Sequence, residues 1–287
     1  MKRYVIPIIG LITLIISLTS YGQSKEVINE VKTTVVQEII INEEINDKSK
    51  ENDLLNNDDV KEEYIQLSPE EVNIPILMYH SISDDNPENS LLVPPDMFDE
   101  QMKWLSENGY ISMNLDEALN SMETGLMPKK PVVITFDDGY SDNYKSAFQS
   151  LKKYNFKATF FVITNGVDDG YYMSSDMLKE MQSEGMSIEN HTSNHLELDK
   201  LSREDAYNSI KDGQDFLRNV IGAKANYLCY PVGKYNSETI EIQEELGIKA
   251  GLTTQEGISS ISDGLHELKR VRIYPMDIQT FSKVIVE

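Results

Sequence analysis

Apolar residues recur in two patterns along the C-terminal three quarters of the chain. Short runs rich in Val, Ile, Phe and Tyr predict seven buried strands, and longer stretches with apolar residues at helical spacing predict five amphipathic helices. The predicted strands are residues 74–80, 131–138, 157–164, 186–191, 225–231, 248–254 and 268–275. The predicted helices are residues 95–109, 140–155, 174–185, 203–222 and 237–247. This alternation favours right-handed βα units around a mostly parallel sheet, either open or closed into a barrel.

The N-terminal quarter follows a different pattern. Residues 1–23 carry Lys2 and Arg3, then an apolar stretch, then small and polar residues, which is typical of a signal peptide. An uncleaved membrane anchor is the alternative. Residues 24–73 contain 14 Asp and Glu against 5 Lys, and no Gly, Trp or Phe, so they predict an acidic, disordered linker. The folded domain is therefore expected at residues 74–287.

Charge and cysteine content narrow the class of protein. The formal net charge of -22 and the pI of about 4.5 argue against a nucleic-acid partner, because an acidic surface repels polyanions. Cys229 is the single cysteine, so the domain must be stable without an internal disulfide. With the N-terminal segment, these features predict a secreted or cell-surface monomer that meets a membrane only if that segment is retained.

Two adjacent carboxylates end the second predicted strand. Asp137 and Asp138 precede a glycine in the sequence TFDDGY, which on its own is ordinary turn chemistry. However, the carboxyl ends of strands are also where catalytic residues gather in parallel α/β proteins. Both a turn and a chemical role are therefore open for this pair.

A second polar cluster follows the predicted strand at residues 186–191. His191 and His195 are four positions apart, a spacing that brings two side chains to one face if the segment turns helically. Such a pair alone is common on protein surfaces. Two imidazoles with one carboxylate, however, form the open three-ligand face typical of hydrolytic zinc. If one of the two carboxylates binds a metal, the other can stay ionised nearby as a base.

These segments resemble the polysaccharide deacetylases of the NodB-homology class. TFDDGY and HTSNH are similar to the first two motifs of that family, YPVGKYN is similar to the third, and the resemblance covers residues 74–287. It implies an α/β fold, a distorted (β/α)7-type barrel of mostly parallel strands with outer helices. It also implies one divalent metal ion, with zinc favoured over cobalt or nickel, and a polysaccharide partner from which N-acetyl groups are hydrolysed.

The resemblance assigns roles residue by residue. Asp137 is the base, and Asp138, His191 and His195 are the metal ligands. A backbone N–H, that of Val232 in the third motif, is expected to stabilise the oxyanion of the reaction. The rings or hydroxyls of Tyr140 and Tyr230 could contact the sugar, although packing in the apolar core is the equal alternative for each.

The chain departs from the commonest family pattern at two places. Cys229 stands where many members have the arginine that contacts the base, and the C-terminal segment lacks the histidine that often supplies the acid. The sequence PILMYH instead resembles the branch that deacetylates poly-N-acetylglucosamine, in which the acid is an early histidine, here His80. A local contact with Asp84 is the alternative role for His80, and His266 is the alternative acid.

The sequence therefore predicts a metal-dependent N-deacetylase of N-acetylglucosamine-containing polysaccharide, with poly-N-acetylglucosamine favoured. Peptidoglycan deacetylation shares the chemistry and is the first alternative. The second alternative is a secreted carbohydrate-binding barrel without turnover, which the missing arginine of the third motif supports.

Overall fold

The structure of the protein, a computed structural model, describes residues 64–286. The predicted signal segment at residues 1–23 and the first part of the predicted linker, residues 24–63, lie outside the described residues. Within the described part of the chain, no helix combines the length and the apolar character needed to cross a membrane.

The strands of the described residues form one small sheet and one barrel. They are β1 (Tyr64–Gln66), β2 (Ile76–Tyr79), β3 (Ile111–Met113), β4 (Leu126–Pro128), β5 (Pro131–Phe136), β6 (Thr159–Val162), β7 (Ser187–Asn190), β8 (Tyr227–Cys229), β9 (Ala250–Glu256) and β10 (Leu268–Arg272). Seven parallel strands close the barrel in the order β2, β10, β9, β8, β7, β6 and β5, and β5 pairs back to β2. A register shift between β9 and β10 makes the barrel irregular. The predicted barrel is confirmed, and each of the seven predicted strands forms one strand of the barrel.

Helices surround the barrel. They are α1 (Pro95–Glu107), α2 (Leu115–Thr124), α3 (Phe148–Lys153), α4 (Ser175–Ser183), α5 (Arg203–Ile221), α6 (Ser237–Glu245) and α7 (Ile278–Val284). Side-chain caps begin several of them: Ser202, for example, accepts the N–H of Asp205 at the start of α5. At the other end of α5, Gly222 has φ 73°, a left-handed cap that glycine adopts without steric cost.

The sequence patterns did not predict three short strands, β1, β3 and β4. Strands β1 and β4 pair antiparallel, and β3 adds to the first half of β5. Residues 64–73, which the sequence analysis placed in the disordered linker, belong to the folded part, since β1 lies there and Val72 is fully buried. Three-residue strands and a single buried valine are too short to stand out from an acidic segment. The predicted helix at 140–155 starts with a π-helical turn, Asn143–Ala147, before α3.

Alternation along β5 explains where its terminal carboxylate points. All six residues of β5 are buried, because one face of the strand looks into the barrel and the other meets the helices. Ile134 and Phe136 pack in the cluster between the barrel and its helices, whereas Val133 packs in the cluster that fills the interior. With a period of two, Thr135 and then Asp137 share the inward face with Val133.

Helix α5 braces the end of β7 through a close contact. The amide of Asn190, the last residue of β7, donates to the carbonyl oxygen of Ile210 in α5 at 2.8 Å. Gly213 on the next turn lies so close that a Cβ there would sit 2.3 Å from Asn190 Oδ1. The same oxygen accepts the N–H of Thr192 at 2.9 Å, so the helix contact fixes the loop that follows β7.

We predict that Gly213→Ala destabilises the protein, although alanine in a helix interior normally stabilises the helix by about 1 kcal/mol relative to glycine. The added methyl group must displace the Asn190 side chain, and overpacking of this kind costs about 1–3 kcal/mol. Urea denaturation measures the change in the free energy of unfolding. Asn208→Ala on the exposed face of α5 is the matched control, and an increase in stability for Gly213→Ala would contradict the close contact.

Candidate active site

The two adjacent carboxylates leave β5 in different directions. Asp137 follows the inward face of the strand, and only 2% of its surface is exposed. Asp138 has φ 72° and Gly139 has φ 83°, so the backbone turns sharply through the left-handed region. That region is uncommon for a residue other than glycine, and such residues are often found at functional sites. The turn thus points two like charges at different partners.

The loop after β7 carries both predicted histidine ligands to Asp138. The Nε2 atoms of His191 and His195 lie 3.3 and 3.4 Å from Asp138 Oδ1. The loop is not a helical turn, because Thr192 and His195 have φ of 65° and 55°. Instead, the Thr192 hydroxyl accepts the N–H of His195 at 3.0 Å. The predicted cluster forms, but two left-handed residues produce it rather than the helical spacing.

The three converging atoms are spaced as ligands of a single ion. Two ligand atoms of one divalent ion lie about 3–3.5 Å apart. The separations of 3.3 and 3.4 Å from Asp138 Oδ1 fall in that range. The His195 side chain is 34% exposed and that of His191 is 2% exposed, so the group opens to solvent on the His195 side. These residues fit a divalent metal with a free position for other ligands.

A backbone contact fixes the ring of His191. Its Nδ1 atom lies 2.8 Å from the carbonyl oxygen of Cys229 in β8. Because a carbonyl oxygen only accepts, Nδ1 carries a proton, which leaves Nε2 as the ring nitrogen that can bind a metal. Metal-binding histidines are commonly oriented by this kind of hydrogen bond.

A second group of three candidate ligands is less suitable. Ligand atoms of Asp137, His191 and Cys229 also lie within 4.8 Å of one another. The guanidinium of Arg270, however, donates to both Asp137 and Cys229. A metal cation at that point would be repelled by the arginine charge, so Asp138, His191 and His195 are the candidate metal site.

Arg270 is the functional residue that the sequence analysis missed. It comes from β10, is fully buried and makes a two-pronged contact with Asp137, Nη1 to Oδ1 at 2.8 Å and Nη2 to Oδ2 at 2.7 Å. Its other donors reach Thr135 Oγ1, the carbonyl oxygen of Thr253 and Cys229 Sγ. The arginine that is absent from the third motif is thus replaced from another strand, and Cys229 accepts one of its hydrogen bonds.

The pair with Arg270 keeps Asp137 ionised. Burial alone would raise the pKa of Asp137, but the charge and two hydrogen bonds of Arg270 outweigh it and hold the pKa well below its usual range. Asp137 is therefore ionised near neutral pH and can accept a proton, although the pairing makes it a weak base. Its orientation is fixed by the arginine rather than by solvent.

His80 lies next to Asp137. Its Nε2 atom is 3.8 Å from Asp137 Oδ2, and its backbone carbonyl accepts from the Asn143 side chain at 2.7 Å. Asp142 accepts the N–H of Ile82 at 2.8 Å, so the turn after β5 holds the turn after β2. Burial lowers the pKa of His80, while the charge of Asp137 opposes that shift. The carboxylate that faces the ring is Asp137 and not the local Asp84.

His266 lies away from this group. It precedes β10, its Nδ1 atom is 3.3 Å from Gln243 Oε1, and its carbonyl oxygen accepts the hydroxyl of Tyr230 at 2.7 Å. Its position at the amino end of β10 is the one expected from the sequence.

The three predicted substrate contacts differ in exposure. Tyr140 is partly exposed and its hydroxyl lies beside Asp138, whereas Val232 is 56% exposed with φ 57° at the turn after β8. Tyr230 is fully buried, and its hydroxyl is bonded to His266 and to Gln243. The prediction that the Tyr230 side chain contacts substrate is therefore wrong, and its packing role is the correct alternative.

Comparison with known proteins decides the family. A sequence model described as polysaccharide deacetylase matches residues 124–251. YxkH of Bacillus subtilis (strain 168), which is classed with the polysaccharide deacetylases, is 41% identical over 203 residues that cover 70% of this chain and 72% of YxkH. The chain belongs to the polysaccharide deacetylase family.

Two further relatives agree with this assignment. The poly-β-1,6-N-acetyl-D-glucosamine N-deacetylase of Staphylococcus epidermidis is 29% identical in an alignment of 227 residues that covers 70% of this chain and 78% of that protein. The structure of the Streptococcus pyogenes deacetylase PplD in complex with acetate superimposes with a TM-score of 0.71 at 37% identity, and covers 75% of this chain and 98% of PplD. The barrel described here is thus the fold of this deacetylase family.

We predict that Arg270→Lys lowers deacetylase turnover by about 100-fold, because a lysine keeps the charge but cannot hold both oxygens of Asp137 in one orientation. Metal content should stay unchanged, since Arg270 does not contact the candidate ligands. Steady-state kinetics and elemental analysis of the same preparation check both statements.

Arg272→Lys on the same strand is the matched control and should keep normal turnover, because Arg272 is partly exposed and its guanidinium makes no hydrogen bond or ion pair among the described residues. A thermal unfolding curve for each variant shows whether the protein is folded. Normal turnover of folded Arg270→Lys would contradict the assigned role.

Proposed function

We propose that this polysaccharide deacetylase hydrolyses N-acetyl groups of an N-acetylglucosamine polymer with the help of one divalent metal ion, zinc being favoured. The observation that carries the proposal is the joint geometry of Asp138, His191 and His195 beside a buried, arginine-paired Asp137. The donor set suits zinc, and cobalt or nickel are the alternative ions.

Poly-β-1,6-N-acetylglucosamine is the proposed substrate. The support is the similarity to the Staphylococcus epidermidis enzyme that is named for this polymer, together with an early histidine at the site. A polymer substrate and the predicted signal segment also fit the proposal that the protein acts outside the cytoplasm. Peptidoglycan stays an alternative substrate for the same chemistry.

The residues can divide the reaction between them. A bound divalent ion would polarise the acetyl carbonyl and make water more acidic. Asp137, held by Arg270, accepts a proton from the attacking water while the water oxygen bonds to the carbonyl carbon. Protonated His80 donates to the nitrogen as the C–N bond breaks, which yields acetic acid and a free amine, and the acid then loses its own proton to solvent to give acetate. Asp137 then carries the extra proton, which must return to His80 or to solvent before the next turnover.

His80 suits the acid role by position and by chemistry. It lies next to Asp137, and burial makes its imidazolium a stronger acid by lowering its pKa. His266 is bonded elsewhere and supplies no comparable contact. The backbone N–H of exposed Val232 is proposed to donate to the carbonyl oxygen as negative charge develops there.

The alternative of a carbohydrate-binding barrel without turnover loses its main support. That alternative rested on the missing arginine of the third motif, and Arg270 supplies the equivalent contact to Asp137. A protein that only binds sugar has no need for a buried carboxylate held in this way.

The decisive experiment measures freed amine and acetate from poly-N-acetylglucosamine, peptidoglycan and chitin in parallel, with added zinc or cobalt.

We predict that Asp137→Asn retains the metal and loses about 100- to 10000-fold in rate, as expected for removal of a general base. We predict that Asp138→Asn weakens metal affinity by about 10-fold or more and lowers activity with it.

These two neighbouring variants are controls for each other. Elemental analysis after dialysis distinguishes them, because a simple turn role would change stability in both and metal content in neither. Near-normal acetate release by Asp137→Asn, or unchanged metal content in Asp138→Asn, would contradict the proposed division of roles.

We also predict that His80→Ala loses amide hydrolysis much more than hydrolysis of an activated aryl acetate. An amine must be protonated as it leaves, whereas a phenolate can leave without a proton. The ratio of the two rates, measured by acetate release and by absorbance, reports the acid directly. His266→Ala is the control and should leave the ratio unchanged, and equal losses on both substrates in His80→Ala would indicate a positioning role instead.

A further inference from the structure

Exposed apolar side chains concentrate on the face that carries the site. Among the described residues, the large apolar side chains that are exposed are Tyr171, Leu196, Val232, Tyr274 and Val286. The first four lie in loops that follow the carboxyl ends of barrel strands β6, β7, β8 and β10. Exposed apolar surface that gathers at one face marks a place where a ligand can be bound.

Three tyrosines form a continuous group at this face. The rings of Tyr140 and Tyr172 stack with centroids 5.4 Å apart and planes 12° apart, and Tyr171 meets both rings edge to face at 5.4 and 5.1 Å. Tyr171 is 65% exposed, so its ring contacts the two neighbouring rings on one side and is open to solvent elsewhere. We call these three residues the tyrosine platform.

The platform is held rigidly. Asp169 Oδ1 accepts the backbone N–H groups of Tyr171 and Tyr172 at 2.8 and 3.0 Å. The carbonyl oxygen of Tyr171 accepts the N–H of Ser141 at 3.0 Å, which ties the loop to the turn after β5. Gly166 lies under the ring of Tyr172, where a Cβ would be 2.3 Å away. A ligand would therefore meet a ring that is already ordered, at little entropic cost.

The platform is joined to the candidate metal site. Tyr140 is two residues after Asp138 in the turn that follows β5, and its hydroxyl lies close enough to interact with that carboxylate. One end of the platform thus touches a metal ligand, and the other end, Tyr171, is open to solvent. A chain that presents one acetyl group at the metal would pass its next unit over Tyr171.

We propose that Tyr171 is the binding surface for the sugar ring next to the one that is deacetylated. This subsite rests on the proposed function, since it requires an N-acetylglucosamine polymer as the substrate. The face of a pyranose ring carries C–H groups and stacks on an aromatic ring, and a tyrosine offers such a ring with a polar tip. The platform thereby makes the enzyme prefer a chain over a single sugar.

The test compares a β-1,6-linked N-acetylglucosamine pentasaccharide with the monosaccharide. For Tyr171→Ala, we expect the ratio of kcat/KM for the pentasaccharide to kcat/KM for the monosaccharide to fall by about 2- to 10-fold, the range for one aromatic stacking contact. The loss should come from KM. Tyr171→Phe and Tyr171→Trp should restore the ratio, because the ring and not the hydroxyl is required.

Tyr154→Ala is the matched control for loss of a tyrosine ring. Tyr154 follows α3 and bonds Asp99, at the end of the barrel where β6 begins. An unchanged ratio in Tyr171→Ala overturns the proposal, and so does an equal loss on both substrates, which would mean that Tyr171 only supports the site.

A binding measurement separates this proposal from the proposed function. Calorimetric titration of the pentasaccharide into Asp137→Asn and into Asp137→Asn with Tyr171→Ala requires no turnover. Weaker binding in the double variant supports the subsite even if the wild-type protein releases no amine from this polymer. Equal binding in both, with normal turnover of the wild type, overturns the subsite and leaves the deacetylase function standing.

Discussion

The buried pair of Asp137 and Arg270 is the interaction on which the rest of the site depends. All five N–H donors of the guanidinium have acceptors, which come from β5, β8 and β9, while the arginine itself comes from β10. A buried charge is tolerated only when it is paired and hydrogen-bonded, and loss of one partner of such a pair costs about 3–5 kcal/mol. The same contact therefore joins four strands inside the barrel and orients the carboxylate that the proposed chemistry uses.

The loops at the carboxyl ends of the strands complete the site by unusual backbone conformations. Asp138, Thr192, His195 and Val232 all have positive φ, and each follows a barrel strand. Residues of this kind persist only where the surrounding structure holds them. Here the holding contacts are visible, for instance the helix contact of Asn190 that also fixes the loop of the two histidines.

The sequence predicted local features well and distant ones poorly. The seven strands, Asp137, Asp138 and the two histidines each lie in a short segment whose pattern is visible by itself. Arg270 is 133 residues from its carboxylate, and nothing in the segment LKRVRIYP distinguishes it from Arg272 until strand alternation and the barrel register are known. For Tyr230 the sequence left substrate contact and core packing open, because a single tyrosine after a strand fits both, and the structure buries its ring. The folded domain was expected to start at residue 74, but it already includes β1 (Tyr64–Gln66). A strand of three residues is too short to show a periodic pattern.

The position of Arg270 in the last strand has a consequence for how the protein matures. During synthesis, the base and the ligand loops emerge from the ribosome well before β10, so Asp137 has no buried cation to meet until the C-terminal part is made. A partly made chain would keep that carboxylate in water, which disfavours closure of the barrel around it. Closure of the barrel and orientation of the base therefore both depend on β10, and the site is assembled only once that strand is in place.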